Sequence, residues 1–223
     1  MRPIEERLGE WYPILKPELD SDYMRVQLAQ KLLAVPYDDL CPSWDEMFRA
    51  FELCPPSKVK VVIIGQDPYY TRGVADGLCF SMRKGGNTPS FRNIRTAVHK
   101  AGYQLNSTDL TPWTSEGVLM LNTVLTTRVG VPNAHKNYGW LQFTSKVISI
   151  VKHMQQHKVW MLWGNQAQAS YSEELVISDY NHALMCSHPA ARGQFNDFIE
   201  SNHFTKCNEI LKSHSLTPVN WST

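Results

Sequence analysis

Three side chains capable of chemistry sit where three short apolar runs end. Asp67 stands in Gly65-Gln66-Asp67-Pro68-Tyr69-Tyr70, directly after Val59-Lys60-Val61-Val62-Ile63-Ile64. Asn122 closes Val118-Leu119-Met120-Leu121, and His188 comes two residues after Ala183-Leu184-Met185-Cys186. Apolar, β-branched runs ended by Gly, Pro or a polar residue read as strands that stop abruptly. In open parallel α/β sheets the strand C-termini share one edge, and ligands bind there. Asp67, Asn122 and His188 are therefore expected to converge. The chain has no G-x-S-x-G elbow, no G-x-x-x-x-G-K-[ST] and no G-x-G-x-x-G, which argues against a serine hydrolase of that type and against phosphate-loop chemistry. A metal held by Asp67 and His188 would lack a third ligand at a suitable spacing. What remains is recognition of a planar polar ring and cleavage beside it. Asn122 offers one donor and one acceptor to a base edge, and Phe80 offers a stacking face. His188 can donate to an oxygen that gains negative charge, while Asp67 can position water and face a developing cation. Each residue also has a plainer use: Asp-Pro starts turns, Asn ends strands, and a buried Phe fills cores.

The elements that must position these residues follow from the pattern. Residues 21–34 have helical character, and Ser43-Trp44-Asp45-Glu46 reads as a capping box before Met47 and Phe48. Strands are expected at 59–64, 118–122, 159–163 and 183–186. Helices are expected from a Ser90 cap over 91–100, over 139–155 and over 203–211, and 218–221 either docks or frays. Four apolar strands alternating with helices predict a single-domain α/β protein over 1–223, with a central four-stranded parallel sheet and helices on both faces.

Composition narrows the function classes. The chain has 223 residues, 43% of them hydrophobic and 19% charged, which suits one folded domain rather than disorder. The net charge of +1 means that any polyanion site is a local patch. No run approaches the roughly 20 apolar residues of a membrane span. The N-terminal residues carry acids and lack the apolar run of a signal peptide, so a cytoplasmic or, in a eukaryote, nuclear location is expected. Five dispersed cysteines without a CxxC pair predict reduced thiols, several of them buried. Gln142, Lys146 and Lys158 are expected on a solvated face. The absence of heptads and of a second domain predicts a monomer.

The matching motifs are longer than these single residues. They are Gly65–Tyr70, Gly77–Ser81, Gly117–Thr127 (GVLMLNTVLTT), Ala134–Trp140 (AHKNYGW), Trp160–Gly164, His188-Pro189 and Asn202–Phe204. In this order and spacing, from about residue 40 to the C-terminus, the chain resembles the family-1 uracil-DNA glycosylases. The resemblance implies hydrolysis of the N-glycosidic bond of deoxyuridine in single- or double-stranded DNA after base flipping. Free uracil and an abasic site result, and no metal or cofactor is implied. It also implies roles. Asp67 positions water and stabilises the oxocarbenium-like sugar, and His188 hydrogen-bonds the uracil anion. Gln66 meets a uracil oxygen through its backbone amide, Tyr69 crowds C5 against thymine, Phe80 stacks, and Asn122 reads the uracil edge. Pro89 and Ser90 match a loop that compresses phosphates.

The chain departs from the family at three places. Tyr70 replaces the histidine of GQDPYH, and Asp76 replaces a glycine-flanked histidine and is expected to add negative charge near the DNA. In His188-Pro189-Ala190-Ala191-Arg192-Gly193, Ala190 falls on the phosphate-gripping serine and Arg192 on the leucine wedge. Arg192 is expected to take over the wedge, with Phe195 or Phe198 as alternatives. Protein inhibitors that mimic DNA and enclose that leucine are then expected to bind weakly. The competing reading is a catalytically weak DNA-binding or scaffold protein on the same fold. A relative acting on another damaged base is a narrower alternative.

Overall fold

The computed structural model describes residues 3–173, 178–193 and 197–223. Six strands form among them: β1 (Leu40–Cys41), β2 (Val61–Gly65), β3 (Val118–Asn122), β4 (Thr127–Arg128), β5 (Lys158–Trp163) and β6 (Asn181–Cys186). The central sheet runs in the order β3-β2-β5-β6, and every pairing is parallel. Every residue of β2, β3 and β5 is buried, as a parallel sheet covered on both faces requires. β6 is the edge strand, and Ala183 and Met185 are exposed on it. β1 and β4 make a separate antiparallel pair, Cys41 opposite Thr127.

The parallel strands need crossovers, and helices supply them. Helices Pro89–Lys100 and Thr111–Ser115 lie between β2 and β3, and Leu141–His153 lies between β3 and β5. Asn165–Ser172 begins directly after β5 and precedes β6. Helix His203–Ser213 packs against β5 and β6. The C-terminal segment docks. Trp221 is fully buried, with its ring 5.0 Å from both Trp113 and Phe204. Asn208 clamps the Val219 backbone from both sides, accepting from its N–H at 2.8 Å and donating to its carbonyl at 2.9 Å.

Some local expectations are corrected. β2 starts at Val61 rather than Val59, because the N–H groups of Lys60 and Val61 both turn to the Gly117 carbonyl. Residues 44–48 are turns, and the helix begins only at Arg49, although Glu46 does reach back to the Ser43 hydroxyl at 2.7 Å. Thr88, not Ser90, caps helix Pro89–Lys100; its hydroxyl accepts from the Phe91 N–H at 3.3 Å. Pro89 then occupies the first helical position, where its missing N–H costs nothing.

Lys158 is the largest correction. It is 0% exposed rather than solvated. Its ammonium donates to the carbonyls of Met154 at 2.7 Å and Gln156 at 2.5 Å, tying the end of the preceding helix to β5. Burial pulls its pKa down to about 8. Gln142 and Lys146 are exposed as expected. All five cysteines are free and buried. Among the described residues no helix is long and apolar enough to cross a membrane.

Candidate active site

The C-terminal ends of β2 and β3 lie side by side, with Gly65 paired to Asn122. That register brings the Asn122 carboxamide over the Gly65 backbone. A Cβ at Gly65 would stand 2.3 Å from Asn122 Oδ1 and 2.6 Å from the Cys79 Cβ. Glycine is needed here for space, so that a side chain from one strand can lie across the next. Asn122 is 6% exposed, and its carboxamide has no hydrogen-bond partner among the described residues. Its polar atoms stay open on the adjoining cavity side, where a donor and an acceptor are available to a ligand.

A cavity of about 190 Å³ opens at this point, lined by Gln66, Asp67, Tyr69, Phe80, Ser90, Asn122 and His188 among others. The expected convergence of Asp67, Asn122 and His188 is therefore present as geometry. Tyr70 also lines it and is exposed at the rim. Beside it lies a wider groove of about 440 Å³, which shares Gly65, Gln66 and His188 and extends to Asn165, Gln166 and Arg192.

Each group is held in a definite state. Asp67 Oδ2 accepts the Asn133 N–H at 2.8 Å. Burial raises the Asp67 pKa above the ordinary 3.8, and this single N–H opposes the shift. Gln66 donates from its side chain to Asn133 Oδ1 at 2.6 Å, and its carbonyl accepts from Val124 N–H and the Thr123 hydroxyl, both at 2.9 Å. Asn133 has φ +56°, a left-handed conformation that Asn tolerates better than most residues. It serves both Gln66 and Asp67 at once. Nothing in the local sequence singled it out, because its partners are 66 and 67 residues away.

The state of His188 follows from its neighbours. Its Nδ1 accepts the Ala190 N–H at 3.0 Å. The ring proton of the neutral imidazole must then be on Nε2, leaving an N–H donor. The residue is solvent-exposed as a whole, yet burial by the surrounding protein still lowers its pKa below the ordinary 6.5. The turn is fixed further by Ala191 N–H to the His188 carbonyl at 2.8 Å, and by Asn93 Nδ2 to the Pro189 carbonyl at 2.6 Å. Gly164, at φ +92°, makes room for it; a Cβ there would stand 2.9 Å from the His188 Cβ.

Two aromatic walls complete the cavity. Phe80 is held at φ +63°, with its ring 5.3 Å from Trp163 and 5.8 Å from His188. The loop that carries it is organised by Asp76, which is 2% exposed. Asp76 accepts from the Ser81 hydroxyl at 2.6 Å, Leu78 N–H at 3.1 Å and Arg83 N–H at 2.9 Å, and Arg49 lies 3.7 Å away. Asp76 is thus a buried loop anchor rather than a surface charge. The Tyr69 hydroxyl meets Thr88 at 3.2 Å and Ser90 at 3.3 Å, and those two are 3.1 Å apart. Three mutually bonded hydroxyls fix the phenol against the cavity. Pro89 is exposed beside them and Ser90 is buried.

Arg192 is exposed at the groove and has no hydrogen bond or ion pair among the described residues. Ala190 is half-buried. Phe198 is buried with its ring 5.0 Å from Trp163, so it is a core residue and not a wedge. Phe195 lies outside the described residues.

Fold and site together define an α/β protein with an unpaired amide, an imidazole and a carboxylate lining one cavity at the strand C-termini. The comparisons give that class its family. The family model "Uracil DNA glycosylase superfamily" matches residues 51–212. A uracil-DNA glycosylase of Amoebophilus asiaticus is 39% identical over 215 residues, covering 95% of this chain and 96% of that protein. Uracil-DNA glycosylase 2 of Bacteroides fragilis is 38% identical over 222 residues, 98% of each. The crystal structure of mimivirus uracil-DNA glycosylase superposes with a TM-score of 0.85 at 25% identity, over 96% of this chain and 86% of that one. A mimivirus UNG variant solved in complex with UGI matches equally well, at TM-score 0.85 and 25% identity over 96% of this chain and 88% of that one. The chain belongs to the uracil-DNA glycosylase superfamily. Its reaction is hydrolysis of the N-glycosyl bond that joins uracil to DNA, a step of base excision repair.

The packing of Asn122 over Gly65 makes a direct prediction. Gly65→Ala must push the carboxamide off its position. Uracil release is expected to fall by about 10²-fold or more, the scale set by displacing a positioned group by an ångström, while cooperative thermal unfolding persists. Wild-type release from a folded Gly65→Ala protein would contradict the packing argument.

Proposed function

We propose that this chain flips deoxyuridine out of DNA and reads it with Asn122, the observation that carries the reading being that its carboxamide, unpaired within the described residues, lines the open cavity it shares with Asp67 and His188. Asn122 accepts from uracil N3–H and donates to O4. Cytosine presents the opposite polarity and would leave both groups unpaired. Phe80 stacks on the ring, and the Gln66 backbone amide meets a second ring oxygen. Tyr69 stands where a C5 methyl would go. Size selection by one methyl in a soft pocket amounts to only about 1–3 kcal/mol. The three-hydroxyl lock on Tyr69 supports a harder wall.

The chemistry divides between two residues. The C1′–N1 bond breaks with its electron pair moving into the uracil ring, and the His188 Nε2–H stabilises the anion that forms. Asp67, ionised, faces the sugar cation and orients the water that adds to C1′. The proton released by that water finally offsets the uracil anion, so deoxyuridine and water become an abasic site and uracil. A neutral His188 is the better donor here, since an imidazolium would repel the developing sugar cation.

Both groups set the acid side of the pH profile with the same sign. Asp67 must be ionised and titrates above 3.8; His188 must be neutral and titrates below 6.5. On single-stranded substrate, kcat/KM is expected to fall as pH drops through the interval between these values. Activity that rises on going from pH 7 to pH 5 would contradict the assignment.

The duplex side rests on Pro89, Ser90, Ala190 and Arg192. Flipping costs a few kcal/mol in unstacking and unpairing, least for single strands. Arg192, exposed and without an ion pair at the groove, replaces the apolar wedge by stacking its guanidinium or gripping a phosphate. Uracil release from matched single-stranded and duplex oligonucleotides tests the whole reading. Asp67→Asn should abolish most release on both, by roughly 10²–10⁴-fold. Arg192→Ala should cost much more on duplex than on single strands, and equal losses would remove the wedge role. No release by the wild type with DNA still bound would favour a DNA-binding scaffold on the same fold. A charged wedge also predicts weak binding of DNA-mimicking protein inhibitors of the kind bound in the mimivirus complex. Undiminished one-to-one inhibition would refute that part.

A further inference from the structure

At the opposite end of the sheet the fold gathers three histidines that are far apart in sequence. His157 immediately precedes β5, His182 is the second residue of β6, and His214 caps the C-terminus of helix His203–Ser213. Val159 and His182 are partners across the β5–β6 pairing, which brings the first two together. The His157 Nδ1 and His182 Nε2 atoms are 3.2 Å apart. The His157 and His214 rings stack at 3.7 Å and 14°, and those of His182 and His214 at 4.5 Å and 27°. One nitrogen from each ring lies within 4.8 Å of the others, and all three residues are half-buried. The Tyr180 ring walls one side, 5.0 Å from His157.

We propose that His157, His182 and His214 form a binding site for one divalent transition-metal ion, with zinc the best match. Imidazole nitrogens are favoured ligands of Zn²⁺, at about 2.0–2.1 Å, and three of them leave a fourth tetrahedral position for water. Tetrahedral ligation brings ligand atoms to about 3.3 Å from one another, so binding requires the stacked rings to rotate and splay until one nitrogen of each points at the ion. Burial, then His214 and His157, lower the His182 pKa. The surrounding charges divide. Asp179 favours a cation at His182 and Lys158 opposes it, although the Lys158 ammonium is spent on two backbone carbonyls. The C-terminal end of helix His203–Ser213 also favours positive charge at His214. The ion would pin β5, β6 and the last helix together. It would lie about one strand length from the uracil cavity, roughly 20 Å, so its role is structural and not catalytic.

Zinc titration of the chelator-treated full chain tests this. Calorimetry should show one saturable site per chain, and zinc should raise the unfolding temperature. One equivalent should shift the imidazole NMR signals of His157, His182 and His214 and leave those of His188 and His135 in place. His182→Gln and His214→Gln should each weaken binding by more than about tenfold, with uracil release unchanged. No saturable binding to the wild type, signal shifts confined to other histidines, or undiminished affinity in folded His182→Gln would each overturn the proposal. The cluster would then be a stacked packing element only.

Discussion

The lateral contact between β2 and β3 at their C-terminal ends is the constraint on which the rest of this molecule depends. In a parallel pair Gly65 and Asn122 fall in register, and the missing Cβ of Gly65 lets the Asn122 amide lie across it. Moving the register by one residue would send Asn122 to the other face of the sheet. The buried runs of β2, β3 and β5 prevent that slip, since apolar side chains on both faces hold each strand in place. The core thus determines where a single polar amide ends, and the cavity is built outward from it.

Around that fixed point the polar groups are restrained by backbone rather than by other charges. Asp67 is held by one N–H from Asn133 and His188 by one N–H from Ala190. Neither forms an ion pair among the described residues. Burial then moves the two pKa values in opposite directions, the carboxyl up and the imidazole down. Both shifts have the same cause, since burial disfavours the charged form of the carboxyl and of the imidazole alike. The buried Asp76 does related work at a distance by organising the loop that carries Phe80 at positive φ.

Much of this was legible because apolar runs and their terminators are local signals. The four central strands and the residues at their ends followed from runs such as Val118–Asn122. What escaped depends on partners remote in sequence or on broken local rules. Helix Trp11–Leu19 contains Pro13 and Pro17, and nothing in its pattern announced a helix. It forms because Trp11 buries against Phe51 and donates to the Cys54 carbonyl. A lysine beginning a strand looks solvated, yet Lys158 satisfies two carbonyls left over at a helix end. Asn133 and the three clustered histidines have no motif at all; only the folded chain brings them to their partners.

The most direct measurement of the central claim is a crystal structure of Asp67→Asn bound to a short single strand containing one deoxyuridine. The account predicts the uracil ring stacked on Phe80, with the Asn122 carboxamide paired to N3–H and O4 at about 2.7–3.2 Å and His188 Nε2 directed at a ring oxygen. A uracil lodged in the neighbouring groove by Arg192, or one in the cavity with Asn122 still unpaired, would contradict it.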